Sequence, residues 1–170
     1  IDIQRSIGSD IMMMLDVCPP GDANKQKWVE ALNLTTKWAQ RAKKHYDETD
    51  PLYGYNQIIS PIVQGGTSLD LRKQSALELM KLDCQMYAIG GLAVGEPKNE
   101  MLKVVNFLDT ILPKEKPRYL MGVGTPSDLI ESILNGIDMF DCVIPTRNAR
   151  NSQLFNFDGK INIRNAKYSN

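Results

Sequence analysis

The chain has 170 residues, a hydrophobic fraction of 42% and 20 acidic residues balanced by 20 basic ones. This length and apolar content can bury one ordinary core, which excludes an intrinsically disordered protein. The zero net charge excludes a protein that attracts nucleic acid through a global positive field. Residues 145–170 nevertheless hold five cations and one acid. This local patch predicts a negatively charged partner touched at one place, and a solvated basic loop is the alternative.

The three cysteines, Cys18, Cys84 and Cys142, are odd in number and widely spaced. This pattern is typical of mostly buried thiols in a reducing compartment and predicts no metal site. No apolar run approaches the roughly 20 residues that cross a bilayer, and the first residues lack signal-peptide features. We therefore expect a cytoplasmic protein with no membrane partner. The start Ile1-Asp2-Ile3-Gln4, without methionine, predicts the middle of a longer protein.

Five short apolar runs predict β-strands, over residues 9–15, 58–63, 86–89, 118–121 and 139–144. Because they do not alternate with polar residues, they are typical of strands covered on both faces, as in a parallel sheet. Polar or glycine residues fall at their carboxyl ends: Asp16, Gln64, Gly90-Gly91, Gly122 and Asp141.

Four helices are predicted between these strands. Asp22 is the predicted N-cap of the first, and Thr67-Ser68-Leu69-Asp70 reads as a capping box that opens the second. Pro97 belongs in the first turn of the third helix. The clearest start signal is Thr125-Pro126-Ser127-Asp128, with a capping threonine, a proline at the first position and an aspartate at the third.

The alternation of strands and helices predicts an α/β fold with a parallel sheet and right-handed crossovers. An open doubly wound sheet and part of a closed (β/α) barrel both fit. No G-x-G-x-x-G follows the first strand, which makes dinucleotide binding a weak alternative. A whole barrel needs about 250 residues, so these strands would be its later part. Residues 154–163 predict a hairpin with an Asp158-Gly159 turn.

The strongest chemical signal lies between Gly136 and Arg150. Asp141 interrupts an apolar run and is followed by Pro145, Arg147 and Arg150. A carboxylate at a strand end can attack or stabilise a sugar carbon while arginines hold phosphates. From these residues alone, a buried aspartate bonded to backbone amides is an equal alternative.

Several stretches together resemble the tRNA-guanine transglycosylases, also called queuine tRNA-ribosyltransferases. They are residues 8–16 with Cys18-Pro19, residues 62–66, 88–96 and 118–124, the block around Asp141, and residues 160–165. A lone Gln-Gly-Gly carries no weight. The blocks cover nearly the whole chain in the family's order, and the string Phe-Asp-Cys-Val-Ile-Pro-Thr-Arg makes the match highly specific.

The resemblance implies a (β/α)8 TIM barrel, of which residues 1–150 would form about strands 4 to 8 and the base-binding pocket. Residues 151–170 would be a β-hairpin extension leading towards a zinc subdomain. The implied activity exchanges the wobble guanine of tRNA for preQ1 in queuosine biosynthesis, through a covalent intermediate. The complete enzyme would be a homodimer acting on the anticodon loop. Val94 and Cys18 match the bacterial enzymes, which favours preQ1 over queuine.

By this resemblance Asp141 is the nucleophile, because a carboxylate can stabilise and then capture the cationic C1′ of the ribose. Asp16 would accept the two parallel N–H bonds of the guanine edge. Gln64 and the Gly91 amide would donate to the O6 atom of the base.

The resemblance assigns further residues around the base. The Leu92 carbonyl would accept from the aminomethyl group of preQ1, with Glu96 behind it. Met121 would form one apolar wall of the slot, with plain barrel core as its alternative. Arg147 and Arg150 would hold anticodon phosphates or bases after the target nucleotide flips out.

Two parts of the family pattern fall outside these residues. They are the general acid/base aspartate, expected before residue 1, and the zinc ligands, a Cys-x-Cys-x-x-Cys cluster and a histidine, expected after residue 170. We therefore expect no metal site here and no turnover by this chain alone. One alternative is a non-catalytic tRNA-binding or partner subunit, but the presence of Asp16, Gln64 and Asp141 argues against it. The other is an aldolase-type barrel, which would require a lysine at a strand end.

Overall fold

The computed structural model describes residues 1–168, so the last two residues of the predicted hairpin extension lie outside the described part. The elements in chain order are α1 (Asp2–Ile7), β1 (Ile11–Met13), α2 (Lys25–Asp47), β2 (Ile58–Ser60), β3 (Ile62–Val63), α3 (Leu69–Met80), β4 (Tyr87–Ile89), α4 (Lys98–Asp109), β5 (Arg118–Leu120), α5 (Pro126–Leu134), β6 (Met139–Phe140), α6 (Ile144–Arg150), β7 (Gln153–Asn156), β8 (Gly159–Asn162) and a 3-10 turn (Ala166–Tyr168).

The predicted mixed α/β fold with a parallel sheet is confirmed. Strands β3, β4, β5 and β6 pair in chain order and in parallel, and β1 pairs in parallel with β2. The predicted run 58–63 is divided at Pro61, which has no N–H to give to a ladder. The Ser60 carbonyl accepts from Met14 N–H at 3.0 Å, and the Pro61 carbonyl accepts from Ala88 N–H at 2.9 Å. The first half of the run therefore pairs with β1, and the second half pairs with β4.

The main core lies between the sheet and helices α3 and α4. Buried strand residues face the buried side chains of both helices, and the central ones are Val63, Ile89, Leu120, Ala76, Leu79, Val104, Val105 and Leu108. The buried face of α4 consists of Met101, Val104, Val105 and Leu108. This packing fixes the strands as one layer, with their carboxyl ends at a common edge.

The helix starts agree with the sequence at two places and differ at two. Thr125 caps α5 in a complete capping box with Asp128, as predicted, and Pro97 is the N-cap of α4. The prediction of Asp22 as a cap is wrong, because Asn24 caps α2 and its Oδ1 accepts from Lys27 N–H at 3.0 Å. Ser68 is the N-cap of α3 and makes no capping bond through its side chain, so the predicted box there is absent.

The fifth predicted strand is shorter than expected. It ends at Phe140, and Ile144 begins α6 instead of closing the strand. Pro145 explains the difference, since its fixed φ suits the first turn of a helix, where its missing N–H is not needed. Asp141 therefore lies in the loop between β6 and α6.

The predicted hairpin is confirmed, but its turn is displaced by one residue. Asn156 pairs with Gly159 across the two antiparallel strands, so the turn residues are Phe157 and Asp158. Gly159 has φ 117 and opens β8. The Asp158 N–H donates to Asn156 Oδ1 at 3.0 Å, which closes the turn locally.

Candidate active site

The predicted site residues lie at the carboxyl edge of the parallel strands. Asp16 follows β1, Gln64 follows β3, Gly91 follows β4, Met121 follows β5 and Asp141 follows β6. Parallel strands in register bring such residues to one edge, which is where ligands bind in α/β folds.

Asp16 and Gln64 are joined directly. Gln64 Nε2 donates to Asp16 Oδ2 at 2.6 Å, and the backbone N–H of Gln64 donates to Ser75 Oγ at 3.1 Å. Gln64 is 1% exposed, and its Oε1 has no hydrogen-bond partner within the described residues. A carboxylate has two acceptor oxygens, so this bond leaves Asp16 the capacity to accept from a ligand.

The backbone after β4 passes directly over the Gln64 amide. A Cβ on Gly91 would overlap Gln64 Oε1, and one on Gly90 would lie 2.9 Å from Gln64 Nε2. Gly91 also has φ 64, a conformation that glycine adopts without strain. These two glycines therefore allow backbone, amide and carboxylate to approach one another closely, as a slot for a flat ring requires.

Arg72 is a site residue that sequence reasoning missed. It is fully buried, and burial lowers its pKa to about 9, so it stays protonated at neutral pH. Its guanidinium donates to three backbone carbonyls, those of Val63, Gly66 and Gly91. The sequence did contain a signal for a buried arginine here. Arg72 shares the helical spacing of the buried Ser75 and follows shortly after the Gln-Gly-Gly turn.

Glu96 holds the loop that follows β4. Its carboxylate accepts from the N–H of Ala93 and, at 3.0 Å, from that of Val94. The Ala93 N–H and the Leu92 carbonyl belong to one trans peptide, so they point in opposite directions. Glu96 therefore turns the Leu92 carbonyl away from itself, while the Leu92 side chain is anchored in the core.

Asp141 is exposed, so it does not fit the alternative of a buried structural aspartate. Its Oδ1 accepts from the Tyr119 hydroxyl at 2.6 Å and from the Gly122 N–H at 2.8 Å. Burial, and next its bond to the carboxylate, raise the pKa of Tyr119 to about 12, so this tyrosine is a neutral donor at pH 7. Tyr119 was also missed by sequence reasoning, because its relation to Asp141 exists only across two strands.

Through its backbone, Met121 connects the group formed by Asp16 and Gln64 to the group formed by Asp141, Tyr119 and Gly122. Its N–H donates to the Ile89 carbonyl at 3.2 Å, which extends the pairing of β4 and β5 to the edge of the sheet. Its side chain is half-buried. Within the described residues, no hydrogen bond joins Asp141 to Asp16 or Gln64 directly.

A cavity of about 430 Å³ opens beside the Asp141 loop. It is lined by the loops after β4, β5 and β6, and its polar and charged lining side chains are Glu96, Lys98, Asp128, Cys142 and Arg147. Arg147 is exposed at this opening, and Arg150 is exposed in the last turn of α6. Two arginines thus stand within one helical turn of the cavity mouth.

Residues 1–168 include no group of three or more His, Cys, Asp or Glu placed to hold a metal ion. The zinc implied by the resemblance therefore does not fit this part of the chain. Within the same range, no helix combines the length and the apolar character needed to cross a bilayer. The expectation of mostly buried thiols fails at Cys18, which is exposed, whereas Cys84 is buried and Cys142 half-buried.

Comparison with known proteins decides the family. The model of the queuine tRNA-ribosyltransferase family matches residues 1–170. The chain belongs to this family. A queuine tRNA-ribosyltransferase of Caldanaerobacter subterraneus is 50% identical over 169 residues, which cover 99% of this chain and 44% of the relative.

Two further relatives give the same result. Those of Thermodesulfovibrio yellowstonii and Actinobacillus succinogenes are 48% and 50% identical over 168 residues, and both matches cover 99% of this chain and 43% of the relative. The chain thus spans less than half the length of the queuine tRNA-ribosyltransferases that it matches.

Proposed function

We propose that this chain carries the base slot and the nucleophile of a tRNA-guanine transglycosylase, which exchanges the wobble guanine of tRNA for preQ1. One observation carries the proposal. An exposed aspartate, Asp141, is held by Tyr119 and Gly122 at the same sheet edge as the bonded pair of Asp16 and Gln64. In this proposal the sugar carbon of the target nucleotide lies at Asp141, and its base lies at Asp16 and Gln64.

The base slot suits the Watson–Crick edge of guanine. Asp16 can accept from the ring N–H and the exocyclic amine, which together distinguish guanine from the other bases. Gln64 has a second amide proton beyond the one given to Asp16, and it can donate that proton to the O6 atom. The Gly91 N–H is the second donor in this assignment, and Met121 forms an apolar wall.

The loop after β4 supports preQ1 as the incoming base. The peptide that Glu96 holds directs the Leu92 carbonyl away from that carboxylate, where it can accept from an aminomethyl group. The Glu96 carboxylate behind this peptide adds negative charge that favours a protonated amine.

The nucleophilic step follows from the bonds at Asp141. Both observed bonds end on Oδ1, which makes Oδ2 the attacking atom. Oδ2 forms a bond to C1′ while the C1′–N9 bond breaks and its electron pair leaves with guanine. Guanine takes a proton from an acid outside these residues. The incoming base gives its N9 proton to that same external group, its N9 forms a bond to C1′, and the bond between C1′ and Asp141 breaks, which restores the carboxylate and retains the configuration.

The strand order supports the assignment of residues 1–150 to part of a (β/α)8 barrel, about strands 4 to 8. A doubly wound sheet reverses its strand order at a switch point, whereas β3 to β6 follow chain order without reversal. Exposed apolar side chains lie at both borders of this layer: Ile3, Ile7 and Leu15 near β1, and Ile130, Ile133 and Leu134 on α5. Additional β/α units would cover them.

The remaining assignments extend the same proposal. Residues 151–170 would form a hairpin extension towards a zinc subdomain, and Arg147 and Arg150 would contact the anticodon loop of tRNA. The enzyme would work in the cytoplasm as a homodimer.

The decisive test uses a grafted enzyme, in which this chain replaces the segment that it matches in the Caldanaerobacter relative. Incubated with tRNA, it should form a covalent protein–RNA adduct on a denaturing gel. Asp141→Asn should abolish the adduct, because an amide oxygen is a poor nucleophile. Asp138→Asn is the matched control, since Asp138 lies at the other end of β6 and accepts from Arg118 N–H. An undiminished adduct with Asp141→Asn would refute the assignment.

A further inference from the structure

A buried guanidinium joins the segments that form the base slot. We propose that Arg72 is a positioning residue, which sets the affinity for the purine base by fixing the Gly91 backbone against the Gln64 amide. The proposal rests on the function proposed above and adds a residue outside the set that the resemblance assigns.

Three hydrogen bonds define this role. Arg72 Nη1 donates to the Val63 carbonyl at 2.7 Å, Nε to that of Gly66 at 2.8 Å, and Nη2 to that of Gly91 at 3.1 Å. The acceptors belong to the end of β3, the turn before α3 and the loop after β4. A planar guanidinium can reach three carbonyls at fixed angles, whereas a lysine offers a single nitrogen.

The Gly91 bond connects Arg72 to the slot itself. Gln64 Oε1 lies so close to Gly91 that a methyl group there would overlap it, and the Gly91 conformation has φ 64. The Gly91 backbone and the Gln64 amide are therefore so close that neither can shift towards the other. Releasing the Gly91 carbonyl would allow the peptide to rotate, and small misplacements of binding groups weaken a preorganised site.

The location of Arg72 separates this role from plain core stability. Arg118 is also buried, at 3% exposure, and Arg118 Nη2 donates to the Leu112 carbonyl at 2.6 Å. It stands at the first residue of β5, at the amino edge of the sheet. Loss of either guanidinium would destabilise the fold, but only Arg72 contacts the segments that carry Gln64 and Gly91.

The experiment compares Arg72→Lys with Arg118→Lys in the grafted enzyme. Guanine affinity is measured by calorimetry well below the melting temperature, and thermal unfolding is measured in parallel. Arg72→Lys should weaken guanine binding about tenfold or more, because the three donors of an ammonium group sit on one nitrogen and cannot occupy the positions of Nε, Nη1 and Nη2 at once. Arg118→Lys should lower the melting temperature and leave the guanine dissociation constant within about twofold.

The outcomes separate the two proposals. If Arg72→Lys lowers the melting temperature but keeps wild-type guanine affinity, Arg72 is only structural and this inference is overturned. If the unsubstituted grafted enzyme binds no guanine and forms no adduct, the proposed function fails first.

Should Arg72→Lys not fold, arginine-labelled NMR of the unsubstituted grafted enzyme gives the answer. Saturating guanine should shift the Nε–H signal of Arg72 and leave that of Arg118 in place. An unmoved Arg72 signal would overturn the inference.

Discussion

At the scale of single residues, the two candidate carboxylates accept hydrogen bonds from different kinds of donor. Asp16 is held by the side-chain amide of Gln64, and Asp141 is held by a phenol and a backbone amide. Hydrogen bonds to a charged acceptor contribute about 1.5–3 kcal/mol each, enough to fix a carboxylate in one orientation. The Tyr119 and Gly122 bonds both end on Oδ1 of Asp141, which leaves Oδ2 for the proposed attack.

Replacing Tyr119 by phenylalanine tests this orientation. Tyr119→Phe should slow covalent adduct formation by the grafted enzyme about tenfold, because one charge-assisted bond is lost. The measurement is single-turnover adduct formation with tRNA. Tyr53→Phe is the matched control, since the Tyr53 hydroxyl donates to the Ser6 carbonyl at 2.7 Å, remote from this edge. An unchanged rate in Tyr119→Phe would remove Tyr119 from the mechanism.

The same pair of enzymes makes a prediction about pH. The pKa of Tyr119 is raised to about 12, so its proton is present throughout the neutral range. The rate of adduct formation by the unsubstituted enzyme, divided by that of Tyr119→Phe, should therefore stay constant from about pH 6 to about pH 9. A phenol that keeps its proton can donate to Asp141 throughout this range. A ratio that falls as pH rises would show that the phenol ionises within this range.

At the scale of helices and strands, similar sequence signals have different outcomes. Thr125 and Ser68 both precede a helix and both stand near an aspartate. The Thr125 Oγ1 accepts from Asp128 N–H at 3.4 Å, and the Asp128 carboxylate accepts from Thr125 N–H at 2.9 Å. Ser68 makes no such bond. Proline at the first position of α5 preorganises its first turn, and α3 has no equivalent.

Alanine at the two caps should give different losses of stability. Thr125→Ala should destabilise the protein by about 1 kcal/mol at neutral pH, whereas Ser68→Ala should change stability by less than about 0.5 kcal/mol. Urea denaturation of both variants measures the difference. Equal losses would contradict the capping geometry.

The loss caused by Thr125→Ala should shrink in acid. Burial pushes the pKa of Asp128 upwards, but bonds from Thr125 and Lys98 outweigh it and hold the pKa below 3.8. A lowered pKa contributes stability above the unfolded value, and that contribution is lost as pH falls through the folded value. As pH falls through the lowered pKa of Asp128, protonation removes the charged acceptor that Thr125 binds, so the stability difference between the two proteins should become smaller.

At the scale of the whole molecule, the parallel layer has apolar borders. Ile130, Ile133 and Leu134 are 61%, 57% and 81% exposed and share one face of α5, which follows from their spacing. Exposed apolar patches of this kind mark surfaces that another element covers. A closed barrel would cover both borders at once.

Lysine at this border tests barrel closure. Ile133→Lys should change the stability of the chain alone by less than about 1 kcal/mol, because the position is exposed. In the grafted enzyme it should cost about 3 kcal/mol, because closure would bury an unpaired charge. Leu77→Lys is the control, since Leu77 is 45% exposed on α3, which already has helices on both sides. Equal, small effects in both proteins would argue against closure.

The sequence determined the alternation of the main strands and helices, because local patterns over a few residues predict such elements, but it did not predict α1 or α6. Apolar runs predict strands, the box at Thr125 predicts the start of α5, and residues 154–163 predict a hairpin. The same locality explains the errors. Pro61 and Pro145 changed pairing and strand length in ways that an apolar count does not register.

Only the tertiary structure decided how the site is assembled. The bond from Gln64 to Asp16 spans 48 positions, that from Tyr119 to Asp141 spans 22, and that from Arg72 to Gly91 spans 19. Whether such groups meet depends on strand order and register, which place distant residues at one edge. The family resemblance supplied Asp16, Gln64 and Asp141 by position. The position of Arg72 after the Gln-Gly-Gly turn is visible in the sequence, but its hydrogen bonds, like that of Tyr119 to Asp141, are visible only in the tertiary structure.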